Sequence, residues 1–382
     1  MVNYPDDWEV KRLGECGKFI SGNGFPLMYQ GKHKGEYPFY KVSDLSNEGN
    51  ENNMITANNY ISCEVAKILS CNIIPSSSII FAKIGAAIFL ERKRITTCKC
   101  CIDNNMMSFQ PFSNISTRFI YYVMQKLKFG DFVQTTALPS LSGKILGNIL
   151  IPLPPLPEQT AIADTLAAFD THITNLTALI DKKKAIREGA LEELISGRTR
   201  LQGFSGEWRE TTIGAVQKVN RGKRLVRKQL NDRGLYAVYQ NSMKPLGYYE
   251  KYNCEPQSVF MIAAGSAGEI GFSQNAFWAA DDCYYFKHSS KIFQKYLYYV
   301  LLHKQNYLRN QSKRTSIPRI AREIIDDLVI PLPPLDEQKA IADTLTALDT
   351  DITNIETERS KFIQIREGAM DDLLTGRIRL KV

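Results

Sequence analysis

The chain has 382 residues, of which 44% are hydrophobic and 23% charged, a composition that excludes an intrinsically disordered protein. No apolar run reaches the roughly 18 residues that a membrane-spanning helix needs. The first residues also lack the basic and apolar stretches of a signal peptide, so we expect a cytoplasmic protein without a membrane partner. The net charge of +8 is a weak indication of a polyanionic partner.

Residues 1–150 contain short apolar runs typical of β-strands, such as "SSSIIFAKIGAAIFL" from Ser76, which glycine interrupts. A later stretch, "TRFIYYVMQKL", has the apolar spacing of one helix. Its tyrosines could stack on nucleic-acid bases, but their helical spacing favours packing in a core. We therefore predict a compact α+β domain over residues 1–150.

Candidate nucleic-acid contacts in this first domain are few. "SGNGF" is typical of an open polar turn whose short side chains suit phosphate oxygens. A modest basic group follows later in the segment. The candidate residues are Ser21, Asn23, Lys83, Arg92, Lys93 and Arg94.

Residues 151–201 predict one long helix. The lead-in "IPLPPL" cannot be helical, because each proline removes a backbone donor and biases the preceding residue to extended geometry. No proline then occurs until past Gly197, which is placed as a C-terminal stop. The helix should run from Glu158 to Ser196, or roughly 58 Å at 1.5 Å per residue.

The apolar residues of this helix alternate in steps of four and three, which is the a/d pattern of a coiled-coil seam. A second segment near the end of the chain has the same pattern. The predicted seam residues are Ile162, Leu166, Phe169, Ile173, Leu176, Ile180, Ile341, Leu345, Leu348, Ile352 and Ile355. The alternative is two separate amphipathic helices, each lying on its own domain.

Residues 202–329 predict a second α+β domain with stronger basic character. Two runs, residues 217–231 and 302–322, each carry six Lys or Arg residues and no acidic one. Interleaved Ser, Asn, Gln and Gly suit phosphate contacts by short side chains and backbone amides. A solvated charged face is the alternative. The candidate contacts are Arg221, Lys223, Arg224, Lys313, Arg314 and Arg319.

Residues 330–382 repeat the first long helix. At an offset of 179, residues 151–202 align with 330–381 without a gap, and 31 of the 52 pairs are identical. Two tandem units of this kind have an economical arrangement, in which the helices pair antiparallel. The predicted fold is α+β: two globular α/β domains separated by two long antiparallel coiled-coil helices with pseudo-twofold symmetry. Such symmetry suggests a target with two halves.

Catalytic and metal signals are poor. The chain has no Walker loop and no Asn-Pro-Pro-aromatic motif of the methyltransferase type, and "PDDWEVK" compresses a nuclease-like pattern at one end. Cys98 and Cys101 have metal-ligand spacing, but Cys63 and Cys71 complete a zinc tetrad poorly. We expect no metal site and a non-catalytic protein. A fused nuclease or methyltransferase, and a purely structural coiled-coil adaptor, are the rival classes.

With this layout the chain resembles the specificity subunits of type I restriction–modification systems. The resemblance lies in both "PLPPLxEQxAIADTLxAxD" helices, the "GRxRL" tails, the "W…G" entries, "FYKVSDL" and the alternation of variable and repeated regions, and it covers essentially the whole chain. It implies that residues 1–150 and 202–329 each recognise one half of a bipartite double-stranded DNA target.

The same resemblance implies roles for the helices and for partner chains. The helices would fix the unspecified spacer and dock two methyltransferase subunits, and restriction subunits could join the complex. S-adenosylmethionine, ATP and magnesium would be bound by those partners, and this chain would bind no cofactor.

Overall fold

The computed structural model describes residues 4–133, 138–231, 233–312 and 318–380. Contacts divide the chain into two compact units, which we call unit 1 (Met1–Asn175 with Arg359–Val382) and unit 2 (Leu176–Glu358). Each unit holds one variable segment, the first part of one long helix and the last part of the other. These units differ from the segments proposed from the sequence, because apolar residues of both helices belong to the cores of the units.

The strands of unit 1 form a five-stranded sheet, a three-stranded sheet and a two-stranded ribbon. These strands are β1 (Glu9–Arg12), β2 (Gly17–Ser21), β3 (Tyr37–Tyr40), β4 (Asn53–Met54), β5 (Tyr60–Ile61), β6 (Ile79–Ala82), β7 (Lys93–Thr96), β8 (Cys101–Ile102), β9 (Met106–Pro111) and β10 (Leu150–Leu153). The large sheet has the order β2-β9-β6-β7-β4, antiparallel except for the β4–β7 edge. The small sheet has the order β5-β3-β8, and β1 pairs with β10.

The helices of unit 1 lie in the core of the large sheet, except Cys63–Ile68, which packs beside the small sheet. They are α1 (Leu13–Cys16), α2 (Cys63–Ile68), α3 (Thr117–Lys126), α4 (Gly143–Gly147) and the first part of α5 (Leu156–Ser196). Helix α3 is the one predicted from "TRFIYYVMQKL", and the side chain of Ser116 caps it by accepting a hydrogen bond from the amide of Phe119. Tyr121 and Tyr122 are buried, as the helical spacing predicted.

Unit 2 repeats this architecture. Its strands are β11 (Arg209–Thr212), β12 (Val219–Arg221), β13 (Tyr236–Tyr239), β14 (Gly247–Tyr249), β15 (Ser258–Ile262), β16 (Ile270–Ser273), β17 (Trp278–Ala279), β18 (Cys283–Phe286) and β19 (Val329–Leu332). The order β12-β18-β15-β16 matches β2-β9-β6-β7, and β14-β13-β17 matches β5-β3-β8. Among the described residues of unit 2, β4 and α2 have no counterpart, which agrees with the longer first variable segment.

The helices of unit 2 are α6 (Ile213–Val216), α7 (Gln294–His303), α8 (Gln305–Asn310), α9 (Arg322–Asp326) and the first part of α10 (Leu335–Leu373). Helix α7 corresponds to α3, and its residues Tyr296 and Tyr299 are fully buried. Each unit therefore places one amphipathic helix between its large sheet and the long helices, where the tyrosine rings fill the core.

The two long helices confirm the lengths predicted from the repeat. Helix α5 begins two residues before Glu158 and ends at Ser196. The stop residues Gly197 and Gly376 both have a φ of 71°, in the left-handed region that glycine adopts at little cost. The matched glycines are therefore required by backbone geometry at the ends of the helical segments.

In unit 1 the first part of α5 runs antiparallel to the last part of α10. Asp170 accepts a hydrogen bond at 2.6 Å from Nε of Arg366, and the ring of His172 lies 4.2 Å from that of Phe362. Glu158, earlier in α5, contacts Arg379, beyond the end of α10. Residues later in α5 contact residues earlier in α10, so the two segments are antiparallel.

In unit 2 the last part of α5 and the first part of α10 pair in the same sense. Nε of Arg187 donates to Asp349 at 2.8 Å, and Lys184 forms an ion pair with Glu356 at 2.7 Å. Asp349 is the repeat equivalent of Asp170, and Arg187 is the equivalent of Arg366. The antiparallel pairing predicted from the duplicated sequence is therefore present within each unit.

The predicted seam residues divide between two environments. Ile162, Leu166 and Phe169 pack in the core of unit 1, and Ile341, Leu345 and Leu348 pack in that of unit 2, beside α3 or α7. Further along the helices, Leu176, Ile180 and Ile352 are buried, whereas Ile173 and Ile355 are half-buried. The first seam residues of each long helix thus pack on the domain of their own unit, as the alternative of two separate amphipathic helices proposed. The later residues of the same helix lie where it pairs with the other long helix.

In each unit, a buried glutamate binds two separate segments. One is the segment that follows the end of a long helix, and the other is the start of the domain. In unit 1, Glu158 accepts hydrogen bonds from Nε1 of Trp8 at 3.0 Å and from Arg379 at 2.5 and 2.8 Å. In unit 2, Glu337 accepts from Trp208 at 3.0 Å and from Arg200 at 2.5 and 2.7 Å. We call this arrangement the glutamate clasp.

The clasp is a bidentate arginine–carboxylate pair, which is among the stronger and more directional charge-assisted contacts. Hydrogen bonds to the carboxylates raise the pKa of both guanidinium groups. The clasp of unit 1 has a further member, since the Arg379 guanidinium also donates to Asp7 at 2.8 Å through both of its terminal nitrogens. Hydrogen bonding to Arg379 lowers the pKa of Asp7.

Candidate nucleic-acid interface

In unit 2 the basic segment after β12 lies where several backbone segments converge. The amide of Gly222 donates to the carbonyl of Cys283 at 2.9 Å, and the amide of Ala263 donates to Asp282 at 2.7 Å. The amide of Ile320 in turn donates to Ala263 at 2.9 Å. The loop after β12, the turn before β18, the end of β15 and the segment before α9 therefore form one surface region.

This convergence brings together the predicted residues of two separate basic runs. Nε of Arg221 donates to the carbonyl of Asp281 at 2.8 Å. The guanidinium of Arg319, about a hundred residues later, forms an ion pair with Asp282 at 2.9 Å. Both arginines are thus fixed to the same turn, and both remain exposed.

The other basic residues predicted for unit 2 surround the same loop. Lys223 and Arg224 are exposed directly after the glycine at its bend. The carbonyl of Lys223 accepts a hydrogen bond from Nε1 of Trp278 at 2.9 Å, so the backbone of this loop is anchored. Lys313 and Arg314 lie outside the described residues.

An acidic group lies among these cations. One carboxylate oxygen of Asp281, Oδ1, is buried and has no hydrogen-bond partner among the described residues. A carboxylate can accept a hydrogen bond from the amino group of cytosine in the major groove. Because this oxygen of Asp281 is buried, however, it cannot make such a contact, and the turn between β17 and β18 contributes to the surface through the two arginines that it holds.

Unit 1 builds the same convergence from equivalent segments. The amide of Gly22 donates to the carbonyl of Met106 at 3.3 Å, and that of Lys83 donates to Asn105 at 2.8 Å. The amide of Leu141 then donates to Lys83 at 2.8 Å. These bonds repeat those of unit 2, so the structure brings together the predicted residues Ser21, Asn23 and Lys83.

A glycine permits the close approach of two backbones in each convergence. A Cβ atom added to Gly22 would lie 2.0 Å from the carbonyl oxygen of Asp103, and one added to Gly222 would lie 2.0 Å from that of Ala280. Neither position can accept a larger residue without a backbone shift. The paired glycines therefore hold equivalent loops against equivalent turns in the two units.

Asn23 and Lys83 have less freedom than the exposed residues of unit 2. The amide nitrogen of Asn23 donates to the carbonyl of Ser70 at 3.0 Å, and its oxygen accepts from the amide of Asn72 at 2.8 Å. Asn23 thus positions the neighbouring loop. Lys83 is half-buried, and burial lowers the pKa of its ammonium, although the nearby Asp103 carboxylate opposes this shift.

The basic residues before and within β7 lie beside the chain that follows β3. The guanidinium of Arg92 donates to Oγ of Ser46, and that of Arg94 donates to the carbonyl of Leu45 at 3.2 Å. Both arginines are half-buried, so each presents part of its side chain to solvent.

Lys93 requires a correction, because its side chain is buried completely. Its ammonium donates to the carboxylate of Glu91 and to the carbonyl of Leu127, and it lies 4.1 Å from the ring centre of Phe129. Burial lowers the pKa of this ammonium, and the bond to Glu91 opposes the shift. Lys93 therefore packs within unit 1 and does not belong to the proposed DNA surface.

The glutamate clasp is absent from the predictions made from the sequence. Its signal was present, since Glu158 and Glu337 occupy the same place in the two "PLPPLxEQ" phrases. Arg200 and Arg379 likewise match in the two "GRxRL" tails, and each copy has an entry tryptophan. Identical charged residues of opposite sign at matched positions of a repeat indicate a contact that both copies preserve.

Among the described residues, no three His, Cys, Asp or Glu side chains are grouped so that they could hold a metal ion. The eight cysteines form no disulfides, and burial raises the pKa of Cys101 and Cys71. A helix both long and apolar enough to cross a membrane is likewise absent from the described part of the chain.

Comparison with known proteins shows what this architecture resembles. The family model described as the type I restriction modification DNA specificity domain matches residues 5–185 and again 205–364. The MjaVIII type I restriction enzyme specificity subunit of Methanocaldococcus jannaschii is 25% identical, with 100% of this chain and 95% of the relative covered. The putative MjaX specificity subunit of the same organism is 22% identical, with 99% and 95% covered.

Solved structures share the fold across nearly the whole chain. The S subunit of the type I restriction–modification system of M. genitalium is similar with a TM-score of 0.68 and 16% identity, covering 98% of both chains. The HsdS subunit of Thermoanaerobacter tengcongensis has a TM-score of 0.51 and the same identity, again over 98% of both chains. The two family matches include most of both variable segments and most of each long helix. The chain belongs to the family of type I restriction–modification DNA specificity subunits, as its repeated phrases predicted.

Proposed function

We propose that each unit of this chain recognises one half of a bipartite double-stranded DNA sequence, and that the chain itself performs no catalysis. One observation carries the proposal. The two units hold equivalent loops in the same backbone frame, fixed by Gly22 and Gly222, but place different side chains on those loops. Such a pair of frames suits the recognition of two unlike half-sites by two similar domains.

The long helices have two roles in this proposal. They connect the recognition domains, so their length sets the number of unspecified base pairs between the half-sites. They also offer exposed faces to partner chains, which we propose to be two methyltransferase subunits and, in a restriction complex, restriction subunits. S-adenosylmethionine, ATP and magnesium belong to those partners, which act with this chain on DNA in the cytoplasm.

The test is a map of methylated adenines in a host that expresses the methyltransferase subunit with or without this chain. We expect a bipartite methylated sequence only when the chain is present. Replacing residues 1–150 with the matching segment of a relative should change one half of that sequence. The reciprocal exchange of residues 202–329 should change the other half and leave the first intact.

Two results would contradict the proposal. If either exchange altered both halves, the units would not read DNA independently. If methylation were the same without the chain, it would be an adaptor with no part in sequence selection. The exchanges also show which half-site belongs to which unit.

A further inference from the structure

An exposed apolar tip projects from the DNA-facing loop of unit 1. Leu27 is 84% exposed and Met28 is 76% exposed, in a single 3₁₀ turn that follows the loop of Gly22. The turn is anchored from behind, because the ring of Phe25 is buried and stacks on Phe39 with 3.8 Å between ring centres. The two side chains therefore lie at the tip of a well-supported turn.

The equivalent turn of unit 2 carries cations. Arg227 and Lys228 occupy a 3₁₀ turn five residues after Gly222, the same separation that places Leu27 after Gly22. The amide of Leu230 donates to Arg227 at 3.1 Å, as that of Gln30 donates to Leu27 at 3.0 Å. The two units thus share the backbone of this turn, but the side chains at its tip are apolar in unit 1 and cationic in unit 2.

The surroundings of the apolar tip suit a polyanion. Residues 17–35 contain no acidic residue. Lys32, His33 and Lys34 follow the tip directly, and all three are exposed. An apolar tip that cations flank can contact the interior of a DNA groove while the cations meet phosphates on its rim.

The major groove contains one apolar group that identifies a base, the C5 methyl of thymine, and apolar side chains are its usual partners. We propose that Leu27 and Met28 read thymine methyl groups in the half-site of unit 1, while Arg227 and Lys228 contact phosphates or guanine in the other half-site. This inference rests on the proposed function and adds the chemical basis of selectivity. It predicts different sensitivities of the two half-sites to the loss of a methyl group.

The experiment replaces thymine with deoxyuracil, which removes only the methyl group, at each position of one half-site in turn. Binding is measured with the full chain assembled with its methyltransferase subunits. Burial of one methyl-sized group contributes about 0.8 kcal/mol, so the critical replacement in the half-site of unit 1 should weaken binding about fourfold.

The protein variant is the double substitution Leu27→Ser and Met28→Ser. Because both side chains are exposed, we expect it to fold, and thermal unfolding checks this. The variant should bind thymine-containing and deoxyuracil-containing DNA with equal affinity. The matched control is Leu235→Ser in unit 2, where the leucine is 81% exposed, and it should retain the fourfold difference.

Each other outcome overturns the inference. Equal binding of both DNAs by the unmodified chain would mean that no methyl group is read. A fourfold difference that persists in the double variant would assign the methyl contact to another residue. A variant that loses affinity equally for both DNAs would place the two side chains between base steps or against the backbone. A chain that binds no specific sequence at all would instead contradict the proposed function.

Discussion

Units 1 and 2 share a frame and differ at its surface. In both, a tryptophan and an arginine fasten the same glutamate, and a tyrosine and an arginine bind the same aspartate of the long helix. The surfaces that we assign to DNA differ instead: Leu27 and Met28 stand where unit 2 has Arg227 and Lys228. The contacts that join the helices to the domains are therefore alike in the two units, whereas the exposed loop tips differ, as surface loops commonly do.

The largest expected effect comes from the aspartate that each unit preserves. Asp170 accepts from Tyr122 at 2.7 Å and Asp349 accepts from Tyr299 at 2.7 Å, and each also binds an arginine. Substitution by alanine removes this acceptor from a buried hydroxyl and a partly buried cation, although in unit 2 the Tyr299 hydroxyl keeps Thr346 Oγ1 at 3.1 Å as a partner. We expect each substitution to lower the free energy of unfolding by about 2–4 kcal/mol in a urea titration.

The matched controls are Asp164→Ala and Asp343→Ala, each six residues before the aspartate of the same helix, and both control side chains are exposed. These should change stability by less than about 0.5 kcal/mol. A small effect of Asp349→Ala beside a large effect of Asp170→Ala would show that the two units do not share one frame.

The close-approach glycines test the frame at the loops that we propose to face DNA. Gly22→Ala and Gly222→Ala each place a Cβ 2.0 Å from a carbonyl oxygen, so the backbones must separate. We expect each to cost about 1–3 kcal/mol of stability, measured by thermal unfolding, and to weaken DNA binding. Gly24→Ala is the control in the same loop, since no atom lies within 4 Å of its added Cβ. Equal effects at Gly22 and Gly24 would refute the argument.

The basic surface of unit 2 should appear in the salt dependence of binding. Single substitution of Arg221, Lys223, Arg224 or Arg319 by alanine should lower the slope of log affinity against log salt by about one unit. Lys93→Met in unit 1 should leave the slope unchanged, because that ammonium is buried. Four unchanged slopes would place the DNA elsewhere, and a changed slope for Lys93→Met would contradict its placement in the core.

The smallest expected effect concerns a cation that differs between the units. Lys126 pairs with Asp371 at 2.9 Å in unit 1, and at the equivalent place in unit 2 His303 pairs with Glu192 at 3.2 Å. Burial lowers the pKa of His303 below its ordinary value of 6.5, although Glu192 opposes this shift. The unfolded chain then takes up a proton that the folded chain resists, so this contribution is complete above pH 6.5 and is lost as the pH falls below it.

His303→Lys should therefore flatten the dependence of unfolding free energy on pH between about 7 and 5. The measurement is a series of urea titrations at constant ionic strength. Parallel curves for the unmodified chain and His303→Lys would show that this histidine does not contribute.

Features that local chemistry determines were predictable from the sequence. The ends of α5 and α10 follow from the proline lead-ins and from Gly197 and Gly376, because these residues act on their own backbone. Helices α3 and α7 follow from apolar spacing. The prediction that Lys93 contacts DNA was wrong, although the evidence against it is local. Side chains alternate across a strand, so three consecutive basic residues cannot all face solvent.

Contacts between distant parts of the chain were harder to predict. Glu158 meets Trp8 and Arg379, which lie 150 residues before it and 221 residues after it. Nothing in their own neighbourhoods specifies that pairing. The convergence of Arg221 with Arg319 likewise depends on strand order. Both arginines bind the turn before β18, and that turn is positioned because β18 pairs with β12 and β15.

The glutamate clasp of unit 1 joins segments from opposite ends of the chain. Arg379 binds Glu158 and Asp7 at once, whereas in unit 2 the peptide chain itself connects Arg200 to Trp208. In unit 1 the ion pair of Arg379 with Asp7 thus holds together two segments that the peptide chain connects in unit 2. The order in which the chain passes through the two units is therefore not required by the contacts of the clasps. A chain permuted to begin at Gln202, with the segment after Arg379 linked to the segment before Asp7, would retain the residues of both clasps, so recombination could exchange the order of the two recognition segments while preserving the frame that holds them.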